Sequence, residues 1–200
     1  MKPSRLVLAS TSRYRKELLS RLTILFECAN PDVDEAPLPA ETPIATALRL
    51  AEAKARSIAP RFPDALIIGS DQVAVCEGQR LDKPMRHSAA VAQLRFASGK
   101  AVTFHSAVAL LNSATESLQC ALTPTQVRFR TLSARQIESY LRKEAAYDCA
   151  GSARAEGLGI ALMEEIRSTD PTALIGLPLI VLAAMLRAEG VDPLTVDCEN

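Results

Sequence analysis

ALIIGSDQVAVC, residues Ala65 to Cys76, is an apolar run interrupted at its centre by Ser70, Asp71 and Gln72. The apolar residues on both sides predict a buried strand. Such a strand has no folding use for an ionised carboxylate. Desolvating one without a partner costs several kcal/mol, so the group must be paired, metal-bound or protonated. Two readings of Asp71 stand here: the chemical centre of a site, or a strand-end Asp beside a glycine where the chain surfaces.

Around this strand the chain reads as alternating strands and helices. Arg5 to Ala9 predicts a short buried strand, running into Ser10-Thr11-Ser12, three hydroxyl residues suited to a helix N-cap. A helix follows from Arg13 to Leu22, with Leu18, Leu19 and Leu22 as its apolar stripe and Arg15 on the same side. A strand, a hydroxyl turn and a helix aim backbone N–H groups at an anion, and an inward Arg completes a phosphate clamp. The alternative is an Arg stem lying along the core edge with its head in water. Thr23 to Cys28 predicts a second strand. Asn30 to Ala40, with Asp32, Asp34, Glu35 and three prolines, reads as a loop.

Thr42 then Pro43 is an N-cap followed by Pro at the first helical position. This helix is predicted to about Ala59, with a stripe of Ile44, Leu48, Ala51, Ala55 and Ile58, and with Lys54 flanking the stripe. After the opening strand come a hairpin turn at Glu77 to Arg80 and a helix over Ser88 to Ala97, with Ala89, Ala92, Leu94 and Phe96 partly buried. Ala101 to Leu111 and the long strand within Ser117 to Leu132 predict an antiparallel hairpin. Ser133 caps a helix to about Lys143. Gly157 and Gly159, beside Glu156, read as turn glycines or as points of close backbone approach. Ile160 to Ile166 predicts the last strand. Pro178 opens a final core helix ended by Gly190, and the residues from Asp192 onward read as a tail.

Composition narrows the function. The 200 residues carry 23 Lys plus Arg against 23 Asp plus Glu, which gives no general attraction to nucleic acid or an anionic membrane. Trp is absent and aromatics are 4%, against a single-strand stacking platform. The five cysteines are scattered, with no C-x-x-C, so neither a zinc module nor a disulfide framework is predicted, and a reducing compartment fits. No signal-peptide core and no apolar run near the roughly 18 residues of a membrane span occurs, so a cytoplasmic protein is expected. There is no P-loop and no strand-linked G-x-G-x-x-G. His87 and His105 stand far apart, which disfavours a histidine triad or metal site. Chemistry is therefore expected to rest on carboxylates, Lys, Arg and a divalent cation.

Short stretches taken in order carry a resemblance. LASTSRYRKELL (Leu8 to Leu19), VDE (Val33 to Glu35) with Ala53-Lys54-Ala55, GSDQV (Gly69 to Val73), DKP (Asp82 to Pro84), AGSARAEGLGI (Ala150 to Ile160) and GLPL (Gly176 to Leu179) resemble the Maf family of nucleotide pyrophosphatases over nearly the whole chain. The resemblance implies one Maf-like domain over residues 1–200. Its fold would be α/β, a mixed twisted sheet flanked by helices, inosine-triphosphatase-like, with two lobes and a central cleft. It implies hydrolysis of a nucleoside triphosphate between its α- and β-phosphates. Ser10, Arg15, Glu35, Lys54, Gln72 and Lys83 would bind substrate, with Asp71 catalytic. Glu35 and Asp71 would hold Mg²⁺, Mn²⁺ or Co²⁺. GSDQV and SARAEGLGI resemble the branch acting on 7-methyl-GTP; the dTTP and UTP branch has Thr in place of Gln72 and Gln in place of Glu156. Tyr14 would stack on the cationic base, with Gln72 and Glu156 reading its edge.

The expected partner is thus a small nucleotide, not a nucleic acid polymer or a membrane, with a homodimer as the family-level expectation. Two alternatives accompany this expectation: a dTTP/UTP pyrophosphatase, and a nucleotide-binding regulator of cell division. Two residues depart from the family pattern. Arg13 replaces a common Pro, and Asp82 replaces a common Gly, placing an extra acid near the expected phosphate site. If Asp71 and Gln72 serve one site, the strand must twist, bend or end near Gly69 to Gln72, because neighbours in a strand face opposite ways.

Overall fold

The computed structural model describes residues 5–195. Within them the chain divides into two compact units: residues 5–71, 106–123 and 170–195, and residues 72–105 and 124–169. A seven-stranded mixed sheet has the order β2-β1-β3-β5-β6-β7, with β4 paired to β3. The strands are β1 (Arg5–Ala9), β2 (Glu27–Ala29), β3 (Ala65–Cys76), β4 (Gln79–Leu81), β5 (Ala101–Asn112), β6 (Leu118–Phe129) and β7 (Met163–Ser168). The helices are α1 (Arg13–Ser20), α2 (Pro43–Ile58), α3 (His87–Ala97), α4 (Ala134–Lys143) and α5 (Leu179–Ala188).

In the first unit β1 lies parallel to both β2 and β3. Parallel strands need both faces covered, and the alternation of β1 and β3 supplies two apolar faces. Leu6, Leu8, Leu66 and Ile68 pack with Leu18, Leu19, Leu182 and Leu186 of α1 and α5. Val7, Ala9, Ala65 and Ile67 pack with Ala55 and Ile58 of α2.

The α2 stripe differs from expectation. Ala47, Leu50, Ala51, Lys54, Ala55 and Ile58 face inward, while Ile44 is exposed and Leu48 half-buried. The cause is the closeness of α2 to β3. A Cβ added at Gly69 would sit 2.0 Å from the Ala51 carbonyl oxygen and 2.9 Å from Ala55 N. Only the alanine row fits there, so the helix turns its small residues inward. That rotation also carries Lys54 into the buried face rather than its flank.

The start of α2 is fixed as the sequence predicts. The Thr42 hydroxyl accepts from Ala45 N at 3.2 Å, with Pro43 in the first turn. Glu41 then ties the preceding loop to the helix. It accepts from Arg49 Nε at 2.6 Å and Nη2 at 2.8 Å, from Thr46 Oγ1 at 3.0 Å and from Leu38 N at 3.0 Å. The Arg49 hydrogen bonds hold the Glu41 carboxyl down at about 2, from an ordinary 4.5. A carboxyl depressed on folding adds stability that is full above its unfolded value and disappears as pH falls through its folded one. Glu41→Gln should therefore lower Tm at pH 6, and the gap to the unsubstituted chain should close between pH 4.5 and 2. A gap that persists unchanged at pH 2 would contradict this.

In the second unit β4 folds back on β3, pairing Leu81 with Ala74 and Arg80 with Val75. The turn between them is Glu77-Gly78, both at positive φ (49° and 80°), as a two-residue hairpin requires. β6 follows β5 as an antiparallel partner: Phe129 N donates to Lys100 O at 2.8 Å, and in the first unit Asn112 N donates to Ser117 O at 2.8 Å. β7 pairs antiparallel with β6. On α3 the inward residues are Ala90, Leu94 and Ala97, with Ala89 and Phe96 half-buried and Ala92 exposed. α4 starts on a capping box made by Ser133 and Gln136.

The last strand begins later than predicted. Leu158–Leu162 forms a 3-10 turn, and β7 starts at Met163. The reason is local crowding. Glu144 accepts a hydrogen bond from Leu158 N. A Cβ on Gly157 would meet the Glu144 carboxylate at 2.5 Å, and one on Gly159 the Arg154 carbonyl oxygen at 2.4 Å. Both glycines thus serve close approach, and neither has a positive φ. α5 starts after Pro178 as expected. It buries Leu179, Leu182, Met185 and Leu186 but leaves Ile180 exposed, so only one side is core. Of the predicted tail, residues 196–200, including Cys198, lie outside the described residues.

Candidate active site

Six of the residues singled out from the sequence belong to the first unit, and three of them make one charged cluster. Lys54, 4% exposed on α2, places its ammonium 2.7 Å from Asp71 Oδ1 and 2.6 Å from Glu35 Oε1. Asp71 is itself 7% exposed. The strand alternation explains the meeting. Ile67, Gly69 and Asp71 face α2, and Lys54 lies one turn beyond the Ala51 that touches Gly69. The buried carboxylate in the apolar run therefore has a partner, which settles how the fold tolerates it. Glu35 reaches the same ammonium from the loop before α2, the loop that Glu41 and Arg49 tie down.

Ser70 faces the other side of β3. Its hydroxyl lies 2.8 Å from both Ala107 O and Gly176 O. Gly176 O also accepts from Arg15 Nε at 2.9 Å. Arg15 is thus anchored by backbone rather than trailing along the core edge. Burial pulls its guanidinium below the ordinary value, opposed by the negative charges of Asp71 and Glu35. Gly176 has φ +115°, and a Cβ there would stand 3.6 Å from Arg15 Nε. Any other residue would be strained at that φ.

Ser10 is buried where β1 ends, and its Oγ accepts from Ser12 N at 3.1 Å. That leaves the hydroxyl hydrogen for donation. Ser12 is the N-cap of α1, accepting from Arg15 N. Hydroxyl turn, helix start and arginine stand together at the carboxyl end of a parallel strand, a geometry suited to an anion. Tyr14 is half-buried, with the Arg13 guanidinium carbon 4.7 Å from its ring centroid and Arg13 Nη2 donating to its hydroxyl at 2.6 Å. The residue in place of a common Pro therefore covers one face of the ring.

Gln72, Lys83 and Glu156 belong to the second unit. Gln72 is half-buried on β3, which continues unbroken through it, so the strand does not end at the site. Lys83 is exposed just after β4. Asp82, the extra acid beside it, is held by Arg80 Nε at 2.5 Å. Glu156 is exposed, 3.4 Å from Arg154 Nε, and Arg154 Nη1 also holds Glu144 at 2.7 Å.

Sequence reasoning gave no role to Ser70, Gly176 or Arg154. A serine inside a buried run needs a hydrogen-bond partner, and that was the available signal for Ser70. For Gly176 the signal was the glycine of the GLPL stretch. No group of three or more His, Cys, Asp or Glu among the described residues is gathered to hold a metal ion. The donors that do converge are two carboxylates on one ammonium, hard oxygen ligands that a substrate phosphate could complete.

The Maf-like protein family matches residues 5–189. A 7-methyl-GTP pyrophosphatase of Nitrosospira multiformis is 57% identical over 187 residues, 94% of each chain. One of Thiobacillus denitrificans is 58% identical over 190 residues, covering 95% of this chain and 94% of the relative. One of Methylobacillus flagellatus is 54% identical over 187 residues, covering 94% and 97%. With its strand-borne Asp71, its lysine bridge and a match that runs almost from end to end, this chain belongs to the Maf family.

Proposed function

We infer that this chain is a 7-methyl-GTP pyrophosphatase, hydrolysing the nucleotide to 7-methyl-GMP and pyrophosphate and so removing a modified nucleotide. Relatives at 54–58% identity over nearly full length bear that activity as their name. The observation that carries the mechanism is the Glu35–Lys54–Asp71 cluster beside Arg15, in which Lys54 and Asp71 are buried and Glu35 is exposed.

A triphosphate carries about four negative charges, so its hydrolysis needs positive groups and a base more than covalent catalysis. Arg15, Lys54 and Lys83 neutralise phosphate oxygens, and Ser10 donates to one. Asp71 takes the proton from the attacking water as the water oxygen bonds to phosphorus and the electron pair of the broken P–O bond leaves with pyrophosphate. Lys54 fixes the orientation of that carboxylate. A divalent cation held by Glu35 and Asp71 would supply charge neutralisation to the phosphates; the convergence of both carboxylates on one cationic group supports that assignment. Tyr14, Gln72 and Glu156 select the base.

The test is pyrophosphate release from 7-methyl-GTP, GTP, dTTP and UTP with Mg²⁺, Mn²⁺ or Co²⁺. The highest kcat/KM is expected for 7-methyl-GTP, and turnover should stop on chelation. Preference for dTTP or UTP would overturn the base assignment, and turnover that survives chelation would overturn the cation. Glu156→Gln should cut the 7-methyl-GTP to GTP ratio of kcat/KM about tenfold, since a charged acceptor becomes a neutral one opposite a cationic base. Equal loss on all nucleotides would contradict a base-reading role.

A further inference from the structure

Glu156, the acid assigned to a cationic base, has an arginine for a neighbour: Arg154 Nε lies 3.4 Å from its Oε1. A fixed positive charge beside an acid that serves a positively charged ring is an electrostatic contradiction, since like charges repel. The second unit resolves it within its own residues.

Arg154 has a nearer acid. Its Nη1 lies 2.7 Å from Oε1 of Glu144, the residue that caps the end of α4, and the Glu144 side chain is only 14% exposed. Two backbone contacts hold that carboxylate in place. Leu158 N donates to its Oε2, and Gly157 approaches so closely that a Cβ there would stand 2.5 Å away. The arginine is fixed through its backbone as well. Arg154 N donates to the hydroxyl of the buried Tyr140 at 3.1 Å, and Arg154 O accepts from Gly157 N at 3.1 Å. Glu144 N donates to Tyr140 O at 2.8 Å, so the last turn of α4 supplies both anchors.

The charge therefore divides unequally. Two carboxylates and one guanidinium sum to a single negative charge. Attraction between charges falls with distance, and the pair at 2.7 Å is the closer and less exposed of the two. Glu144 takes up the charge of Arg154, and Glu156 keeps its own for a ligand. The 3.4 Å contact then orients Glu156 without neutralising it.

We propose that Glu144 and Arg154 are positioning residues that set the selectivity for a cationic base by deciding how much negative charge Glu156 presents to it. The proposal rests on the base-reading role of Glu156. It makes selectivity depend on a residue at the end of α4, 12 positions before Glu156 in the sequence, that itself touches no substrate.

The test reads the 7-methyl-GTP to GTP ratio of kcat/KM in the unsubstituted chain, Glu144→Gln, Arg154→Gln, the double variant and Glu156→Gln. Glu144→Gln leaves Arg154 to turn on Glu156, so the ratio should fall about threefold, the worth of a partly exposed ion pair. Arg154→Gln removes the opposing charge, so the ratio should rise about threefold. The double variant again carries a single negative charge, on Glu156, and its ratio should return close to that of the unsubstituted chain. The changes should appear in KM for 7-methyl-GTP more than in kcat. A staple that merely holds the turn would lower the ratio in both single variants and most in the double; that pattern would overturn the proposal, as would a ratio unmoved in all three. Far-ultraviolet circular dichroism identifies variants that fold; should Glu144→Gln fail, a rise in Arg154→Gln supports the proposal and a fall overturns it. An unchanged ratio in Glu156→Gln would overturn the base-reading role of Glu156, and the proposal with it, whereas a lowered ratio there with no response to Glu144→Gln or Arg154→Gln overturns the charge balance alone.

Discussion

Asp71→Asn is expected to reduce pyrophosphate release from 7-methyl-GTP by about 10³-fold, the range that a positioned general base supplies. The substitution keeps the shape of the side chain and removes its basicity. It should leave the fold in place, because Lys54 retains Glu35 at 2.6 Å as a counter-charge. The two effects are separable: kcat collapses, while Tm moves by only a few degrees. Activity at the unsubstituted level would remove Asp71 from the chemistry. Loss of folding along with activity would make it a structural half of a buried ion pair, whose removal leaves an uncompensated charge.

Gly69→Ala is the second large effect, and it acts through the fold. The new methyl would sit 2.0 Å from the Ala51 carbonyl oxygen, which is helix backbone and cannot rotate aside. α2 must move off β3 or the strand must shift. Overpacking of this kind costs about 3 kcal/mol or more. Urea unfolding should show the midpoint falling accordingly, and activity should fall even at temperatures where the variant is folded. Lys54 lies on the displaced helix and Asp71 on the strand. A variant as stable and active as the unsubstituted chain would show that the close approach carries neither packing nor geometry.

The two cases show what kind of information a sequence holds. β1, β3 and the starts of α2 and α4 match their predicted positions because their signals are local: alternating apolar residues, Thr42 before Pro43, Ser133 before Gln136. The inward face of α2 did not follow from its largest apolar residues. Ile44 points out because Gly69, 25 residues away in sequence, admits only alanines. The start of β7 depended on Glu144, which packs against Gly157 and holds Leu158 N. Both are tertiary facts that no window around the element contains.

The candidate site divides in the same way. Asp71 was legible because an acid in an apolar run is a local contradiction. Its resolution by Lys54 was not, since Lys54 was read as a boundary residue. Arg15 was legible as an inward cation on α1. Its anchor, the Gly176 carbonyl, lies 161 residues away and could be found only by folding the chain. Asp82 was read as an extra acid, and the structure pairs its Oδ1 with Arg80 Nε. No helix among the described residues is long and apolar enough to cross a membrane.

The most direct measurement is product analysis. The purified chain is incubated with 7-methyl-GTP and a divalent cation, and the phosphorus-containing products are resolved by ³¹P nuclear magnetic resonance. The account predicts 7-methyl-GMP and pyrophosphate in equal amounts, produced by the unsubstituted chain and not by Asp71→Asn. Formation of 7-methyl-GDP with orthophosphate, or the same products at the same rate from Asp71→Asn, would contradict it.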